Sequence, residues 1–302
     1  MPSLRQVVQG THGILEGFQI PDSRLEAEVM VMNTMRMPRQ DLFANQETEV
    51  SPQQERELAE IIERRRKREP LAYILGYKEF YGINLLVNSD VLIPRPETES
   101  MVEHALFMAL MGMETAELVI ADVGTGTGAI AINLAIHLPA AQIYATDLTD
   151  EVLDVASYNI RAHNVADRIT LLQGDLLEPL PQPVDLIVAN LPYVPSQRIP
   201  TLQPEIQWEP RPALDGGEEG LDHIRRLLEQ AASSPLKDGK AGRFPDRLKN
   251  NGIILLELDP EQVPAVMEMA DRLFPGAETS VEPDISQRDR IFVINRGQGL
   301  SP

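Results

Sequence analysis

The spacing of apolar residues divides the chain into a helical first part and a second part in which strands alternate with helices. In residues 1–75 apolar positions recur at helical spacing, as between Ser23 and Met35. Ser51-Pro52 marks a helix start, because serine is a favoured N-cap and proline suits the first helical turn. Short helices bury their apolar stripes only against one another, so we predict a small helical bundle.

Buried strands that alternate with helices predict a parallel sheet covered by helices on both faces. Between the bundle and this α/β part, Phe80 to Val87 is typical of a short hairpin. The predicted organisation is a helical domain at 1–75, a hairpin linker at 76–93 and an α/β domain at 94–302. Within the α/β domain we expect a loop at 195–217 to act as a lid, and we expect 233–249 to be a mobile surface insertion.

A glycine-rich loop, Asp122-Val-Gly-Thr-Gly-Thr-Gly128, follows the apolar strand 118–121 and precedes an apolar helix. Such a loop cradles a ligand, since glycine lets it approach the backbone and the helix start offers free N–H groups. No Lys-Ser or Lys-Thr follows, which argues against a phosphate loop of the Walker type. The alternating glycines also differ from the G-x-G-x-x-G spacing of nicotinamide-binding oxidoreductases.

The next two strands of the α/β part each end in an acid, at Asp147 and Asp175. An acid about 20 residues beyond a glycine loop is where a ribose-binding carboxylate belongs. Purely structural roles are the alternative: Asp147 as a helix cap and Asp175 as a turn residue. Taken with the loop, the two acids favour a nucleoside ligand.

The turn Asn190-Leu191-Pro192-Tyr193 follows the apolar strand 184–189. The Asn190 side-chain oxygen and the Leu191 carbonyl are two acceptors able to hold both hydrogens of a planar NH2 group. Pro192 stiffens the turn without adding a competing N–H, and Tyr193 offers an aromatic face to a planar amide or base. A structural turn with a buried tyrosine is the alternative.

Composition limits the function classes. The formal net charge of −19 repels phosphate backbones unless a local basic patch exists. The basic run Arg64 to Arg68 is predicted to be a solvated helix end, with partner docking as the alternative. With no cysteine and five scattered histidines, we predict no disulfide, thiol nucleophile or metal site. No apolar stretch has membrane-spanning length and no signal-peptide core is present, so we expect a cytoplasmic protein.

Four stretches make the chain resemble the release-factor glutamine methyltransferase family, a branch of the class I S-adenosylmethionine-dependent methyltransferases. They are residues 69–82, the run Val91 to Glu99 containing Pro94-Arg95-Pro96-Glu97-Thr98-Glu99, the glycine loop through Asp147, and Asn190 to Tyr193 with 209–217 behind it. Three positions depart from the family. Leu191 stands where proline is usual, and Asp259 and Gln287 stand where glycine is common.

The resemblance implies a doubly wound, mostly parallel seven-stranded sheet with S-adenosyl-L-methionine as cofactor. The implied reaction methylates the side-chain amide nitrogen of the glutamine in the Gly-Gly-Gln motif of peptide-chain release factors. The implied partner is thus a release factor, recognised by the helical domain, with no direct nucleic acid and no membrane, and a monomer is expected. Catalytic roles fall on Asn190, Pro192 and Tyr193, and substrate contacts on these and Leu191. Cofactor contacts fall on Gly124, Thr125, Gly126, Thr127, Gly128, Asp147, Asp175, Leu176 and Asn190.

One enzymatic alternative is an adenine N6-methyltransferase acting on nucleic acid, which uses a similar Asn-Pro-Pro-Tyr turn on an exocyclic amine. The acidity of the chain and the Pro94 to Glu99 run favour the release-factor enzyme. A non-catalytic nucleotide-binding module is a further alternative, and it requires Asn190 to be idle.

Overall fold

The computed structural model describes residues 1–112, 117–232 and 246–297 and divides into two compact units. The bundle unit is Met1–Gly76 with Gln203–Trp208, and the sheet unit is Tyr77–Leu202 with Glu209–Pro302. In the parts of the chain that are described, no helix is long and apolar enough to cross a membrane.

The bundle unit contains five α-helices: α1 Leu4–Gly17, α2 Ser23–Met35, α3 Arg39–Ala44, α4 Pro52–Arg66 and α5 Leu71–Leu75. Helix α4 begins where the sequence predicts, with Ser51 as N-cap and Gln54 completing a capping box. The apolar stripes meet in one core that includes Leu15, Met30 and Leu58. The predicted helical bundle is therefore present.

The arginines of the basic run at the end of α4 form ion pairs with acids of their own unit. Arg64 bonds to Glu69, with Nε to Oε2 at 2.9 Å. Arg65 is only 2% exposed and forms ion pairs with Glu26 at 2.7 Å and Glu205 at 2.9 Å. The prediction of a solvated helix end is wrong for Arg65, because a buried guanidinium needs carboxylates on several sides.

The sheet unit has a two-stranded hairpin and a seven-stranded sheet in the order β5-β4-β3-β6-β7-β9-β8. Its strands are β1 Tyr77–Phe80, β2 Ile83–Leu86, β3 Val119–Val123, β4 Gln142–Asp147, β5 Ile169–Gln173, β6 Val184–Ala189, β7 Leu248–Glu257, β8 Glu278–Pro283 and β9 Asp289–Asn295. Its helices are α6 Glu97–Gly112, α7 Ala129–His137, α8 Asp150–Ala162, α9 Asp222–Ala231 and α10 Val263–Leu273. Strands β3 to β7 pair in parallel, and β9 pairs antiparallel with both β7 and β8.

Helices cover both faces of the seven-stranded sheet. Alternate residues of the central strands enter two different apolar clusters, as Ile120 and Ala121 of β3 do. One cluster holds side chains of α6, α7 and α8, and the other holds side chains of α9 and α10. This arrangement confirms the predicted doubly wound, mostly parallel seven-stranded sheet.

Two boundaries differ in detail from the sequence expectation. The hairpin β1–β2 belongs to the sheet unit, where Phe80 and Leu85 are buried in the core. Strand β7 begins at Leu248, opposite Val184, so the expected surface insertion ends in a strand. Residues 233–245 of that insertion lie outside the described residues.

Candidate active site

The carboxyl ends of β3, β4 and β6 border one cavity of about 430 Å³. These strands are parallel neighbours, so the loops that follow them emerge at the same edge of the sheet. The cavity brings together ten of the residues predicted for the site: Gly124, Thr125, Gly126, Thr127, Asp147, Asp175, Leu176, Asn190, Leu191 and Pro192. The two others lie beside it. Gly128 is the N-cap of α7, and Tyr193 is half-buried behind the turn.

The glycine loop needs its glycines for backbone geometry. Gly124, Gly126 and Gly128 all have positive φ, at 72°, 55° and 81°. The loop is held to the neighbouring strand because the Gly124 and Thr125 N–H groups both donate to the Thr146 carbonyl, at 2.9 and 3.0 Å. A Cβ on Gly126 would meet nothing within 4 Å, so open space stands in front of this backbone.

Asp147 closes β4 at the rim of the same cavity. Its Oδ2 accepts the Gly126 N–H at 2.9 Å, and its Oδ1 accepts the Leu148 N–H at 2.8 Å. Burial raises the pKa of Asp147, and these two hydrogen bonds oppose the shift. Helix α8 has Thr149 as its N-cap, so Asp147 is not the cap of that helix.

Asp175 and Leu176 follow β5 and form another part of the cavity wall. The Asp175 carboxylate forms an ion pair with Arg226 at 2.6 Å, and its Oδ2 accepts from the Gln230 side chain at 3.0 Å. Leu176 has a φ of 52°, a conformation that costs a residue with a Cβ about 1–2 kcal/mol. Such strain is often kept where a backbone must face a ligand.

Asp122 is a buried acid under the glycine loop that the sequence reading did not select. Its Oδ2 accepts from the Thr125 hydroxyl at 2.7 Å and from the Ala131 N–H at 3.1 Å. Its Oδ1 is buried without a hydrogen-bond partner. Burial raises the pKa of Asp122 to about 6. The available signal was its position at the end of an apolar strand, immediately before the glycines.

The Asn190 turn is bonded to residues far away in sequence. The Asn190 side-chain NH2 donates to the Thr98 hydroxyl at 3.0 Å. The Tyr193 hydroxyl donates to Glu257 Oε1 at 3.3 Å and accepts from Arg290 at 3.1 Å. Burial raises the pKa of Tyr193, and the Glu257 carboxylate raises it further, so the phenol stays protonated.

Glu257 lies at the carboxyl end of β7 and is only 2% exposed. Its Oε2 accepts from the Thr98 hydroxyl at 2.7 Å, so one carboxylate holds both Thr98 and Tyr193. Burial raises the pKa of Glu257, and the bonds from Thr98 and Tyr193 and the charge of Arg290 oppose that shift. The sequence reading missed Thr98 and Glu257 as site residues.

Two of the stretches that carry the resemblance are bonded to each other. Glu209 is 6% exposed, and its Oε1 accepts from Arg95 at 2.5 Å. Its Oε2 accepts from the Ile93 N–H at 3.1 Å. Glu209 thus fixes the Pro94 to Glu99 run, whose Thr98 in turn contacts Asn190. Within residues 1–112, 117–232 and 246–297, no group of His, Cys, Asp or Glu side chains could hold a metal ion.

Two solved methyltransferase structures share the fold of this chain. The hMettl16 catalytic domain, solved in complex with MAT2A 3′UTR hairpin 6, matches with a TM-score of 0.58 at 14% identity, over 76% of this chain and 83% of that one. A methyltransferase from Pyrococcus furiosus matches with a TM-score of 0.51 at 16% identity, over 73% of this chain and 92% of that one. At these identities the similarity shows a shared fold.

Similarity in sequence narrows the assignment from a shared fold to a family. The model of the PrmC N-terminal domain matches residues 6–76, and that of the ribosomal protein L11 methyltransferase (PrmA) matches residues 101–205. The release factor glutamine methyltransferase of Moorella thermoacetica is 39% identical over 97% of this chain and 99% of its own length. That of Geobacter sulfurreducens is 36% identical over 93% of both chains. The chain is therefore a methyltransferase and belongs to the release factor glutamine methyltransferase family.

Proposed function

We propose that this methyltransferase transfers a methyl group from S-adenosyl-L-methionine to the side-chain amide nitrogen of the glutamine in the Gly-Gly-Gln motif of peptide-chain release factors. One observation supports it above others: the Asn190 turn and the Asp147-bearing glycine cradle border one cavity. A nucleoside cofactor and a planar amide can therefore occupy adjacent positions. The names of the relatives supply the proposed substrate.

The cradle has the chemistry that S-adenosylmethionine requires. A carboxylate has about four acceptor positions, and Asp147 uses two of them on backbone N–H groups. The remaining two suit the hydroxyls of a ribose diol. The open space at Gly126 leaves room for the cofactor beside the loop. When bound, the cofactor supplies a methyl group already activated by its sulfonium.

The role that we assign to the Asn190 turn is to prepare the glutamine amide. An amide nitrogen is a poor nucleophile because its lone pair is delocalised into the carbonyl group. The Asn190 Oδ1 and the Leu191 carbonyl would each accept one hydrogen of the NH2 group, which raises electron density on nitrogen and fixes its direction. Both acceptors also stabilise the positive charge that builds up on nitrogen during attack, so they bind the transition state better than the ground state. The proton leaves to water afterwards.

The same two acceptors would suit the exocyclic amine of adenine, which is the alternative substrate. Charge argues against a nucleic acid. The net charge is −19, and the arginines Arg64 and Arg65 of the basic run are bonded to acids of their own unit. A polyanion therefore gains little attraction from this run. The release factor is favoured on this ground.

The test is intact-mass analysis of a release factor incubated with the enzyme and S-adenosylmethionine. We expect a gain of one methyl group, located by fragmentation on the glutamine of the Gly-Gly-Gln motif. The Asn190→Ala enzyme is the matched control and should give little product. An unmodified release factor, with methyl transfer to adenine-containing RNA or DNA under the same conditions, would overturn the proposal in favour of the alternative.

We further propose that the bundle unit recognises the release factor while the sheet unit carries the chemistry. The bundle unit exposes several large apolar side chains, among them Leu25 at 52% and Phe43 at 46%. A glutamine in a glycine-rich loop offers few contacts of its own, so affinity must come from surface remote from the reacting atom. The bundle supplies such a surface.

Surface substitutions test this division better than truncation, since Gln203–Trp208 belongs to the bundle unit and would lose its partners. Leu25→Ser with Phe43→Ser should weaken methylation of whole release factor about tenfold or more, on the scale of losing apolar anchors. Activity on a short glutamine peptide should change far less. Phe107→Ser, at an equally exposed apolar position of the sheet unit, is the matched control. Equal losses on both substrates would contradict the division.

A further inference from the structure

A chain of hydrogen bonds runs from the proposed amide clamp to a buried carboxylate. The Asn190 side-chain NH2 donates to the Thr98 hydroxyl at 3.0 Å, and this hydroxyl donates to Glu257 Oε2 at 2.7 Å. Thr98 and Glu257 are 5% and 2% exposed, so water does not compete for these bonds. The chain joins three segments that are far apart in sequence: the Pro94 to Glu99 run, the Asn190 turn and the end of β7.

The Glu257 carboxylate sets the direction in which each group of this hydrogen-bond chain donates. An ionised carboxylate only accepts hydrogen bonds, so the single hydroxyl hydrogen of Thr98 goes to Glu257. The Thr98 oxygen can then only accept from Asn190. Asn190 must turn its NH2 group toward Thr98, which leaves its amide oxygen as the end free to meet a substrate.

Burial raises the pKa of Glu257, and the donors around its carboxylate oppose this shift. The Tyr193 hydroxyl donates to the other carboxylate oxygen at 3.3 Å, and the positive charge of Arg290 acts on the same carboxylate. Arg290 is itself held by the buried acid Asp284, at 3.0 Å. The negative charge of Glu97 adds a smaller contribution in the same direction as burial.

We propose that Thr98 and Glu257 are positioning residues that fix the orientation of the Asn190 amide, so that the site accepts a substrate NH2 group and rejects a carboxylate. The inference rests on the proposed function and assigns the source of its selectivity. A glutamine side chain gives two hydrogens to the fixed acceptors. A glutamate at the same position would place a carboxylate oxygen against the Asn190 oxygen and the Leu191 carbonyl, which is repulsive.

The main test compares Thr98→Val with Thr98→Ser on release factor that carries either glutamine or glutamate in the Gly-Gly-Gln motif. Valine keeps the shape of Thr98 and removes its hydroxyl, so the Asn190 amide is free to turn round. We expect kcat to fall about tenfold or more while S-adenosylmethionine affinity stays near normal. Serine retains the hydroxyl and should restore most of kcat.

If Thr98 had only a structural role, its replacement would leave the preference for glutamine over glutamate unchanged. Wild-type enzyme should bind the glutamine form at least about tenfold more tightly than the glutamate form, and Thr98→Val should lose most of this preference. Thr34→Val is the matched control, since Thr34 is also buried and its hydroxyl bonds only locally, to the Met30 carbonyl at 2.9 Å. A Thr98→Val enzyme with wild-type kcat and wild-type preference would overturn the inference.

Glu257→Gln tests the carboxylate end of this chain of hydrogen bonds. The glutamine side chain can donate as well as accept, so the direction of the Thr98 hydrogen bond is no longer imposed. We expect the preference for glutamine over glutamate to fall, and we expect the double variant with Thr98→Val to be no less selective than Thr98→Val alone, because both act through one chain. Additive losses of selectivity would contradict a shared route.

An observation without substrate separates failure of this inference from failure of the proposed function. In the ¹H–¹⁵N spectrum, the side-chain NH2 signal of Asn190 is assigned as the one missing from Asn190→Asp. It should shift in Thr98→Val and stay in place in Thr98→Ser and Thr34→Val. If the wild-type enzyme modifies no release factor, the proposed function fails. If the Asn190 signal is unchanged in Thr98→Val, the positioning role fails whatever the substrate.

Discussion

Replacing Asp147 tests the proposed cofactor site at its strongest contact. Asp147 closes β4, and its two oxygens already accept the N–H groups of Gly126 and Leu148. About two acceptor positions remain for a ribose diol. Hydrogen bonds to a charged acceptor contribute about 1.5–3 kcal/mol each, so the loss of one such bond weakens binding about tenfold to a hundredfold.

Calorimetric titration with S-adenosylmethionine measures the effect. We expect Asp147→Ala to weaken binding about a hundredfold or more, because both ribose contacts and the support of Gly126 are lost. Asp147→Asn keeps one neutral acceptor, so its affinity for S-adenosylmethionine should lie between those of the alanine variant and wild type. Asp185→Asn is the matched control. Asp185 also accepts a backbone N–H, from Val119 at 2.9 Å, but it lies on β6 away from the cavity lining.

We expect the affinities for S-adenosylmethionine to rank in this order: Asp185→Asn equal to wild type, then Asp147→Asn, then Asp147→Ala. Unchanged affinity in Asp147→Ala would refute the ribose assignment. Equal weakening in Asp147→Ala and Asp185→Asn, with lowered melting temperatures in both, would show that the loss reflects damage to the sheet rather than a missing contact.

Three further outcomes are expected. Asn190→Ala should lower turnover about a hundredfold with little change in melting temperature, on the scale of losing one preorganised polar contact; near-normal turnover in the radiolabel assay would make the turn structural. Gly124→Ala should lower stability by about 1–2 kcal/mol in thermal denaturation, since its φ is 72° and the new Cβ would lie 3.1 Å from Leu191 Cδ2, whereas Gly13→Ala in α1 meets nothing within 4 Å and should be neutral or stabilising. Asp122 has a folded pKa raised from 3.8 to about 6, so between about pH 4 and pH 6 the folded state keeps a proton that the unfolded state has lost. As pH rises through that window, the free energy of unfolding of wild type should fall by about 3 kcal/mol relative to that of Asp122→Asn, with no further change above it. Free energies of unfolding by denaturant that run parallel in the two proteins from pH 4 to pH 7 would contradict this.

The fold was largely predictable because local signals and burial agree in the centre of the sheet. Strand β6 is a mostly apolar run that ends immediately before Asn190, and the glycine loop marks the turn after β3. Prediction failed where tertiary contacts override local pattern. Arg65 belongs to a run that looks solvated, yet it is buried between Glu26 and Glu205, which is 140 residues away. The residues near Arg65 in the sequence do not indicate its pairing with Glu205.

The site was predictable where one segment carries the chemistry and unpredictable where the chemistry depends on distant partners. The glycine loop and the Asn190 turn are local motifs. The Thr98–Glu257 bond joins positions 159 residues apart, and the Asn190–Thr98 bond spans 92. One signal was available for Glu257: it is the charged residue inside the otherwise apolar run 252–258. Burying a charge costs free energy, so a charged residue in such a run needs hydrogen-bond or ion-pair partners.

The departure at Leu191 shows how the turn tolerates a change beside its proposed acceptors. The resemblance leads one to expect proline there, which restricts the backbone directly. In this chain the Leu191 side chain is 4% exposed and packs in the core cluster with Val123 and Ala189, the last residues of β3 and β6. Its Cδ2 reaches the place where Gly124 lacks a Cβ, so the leucine fills the space that the glycine leaves. Packing of a large apolar side chain can restrain a backbone as a proline ring does, and the carbonyl of Leu191 stays available because it belongs to the main chain.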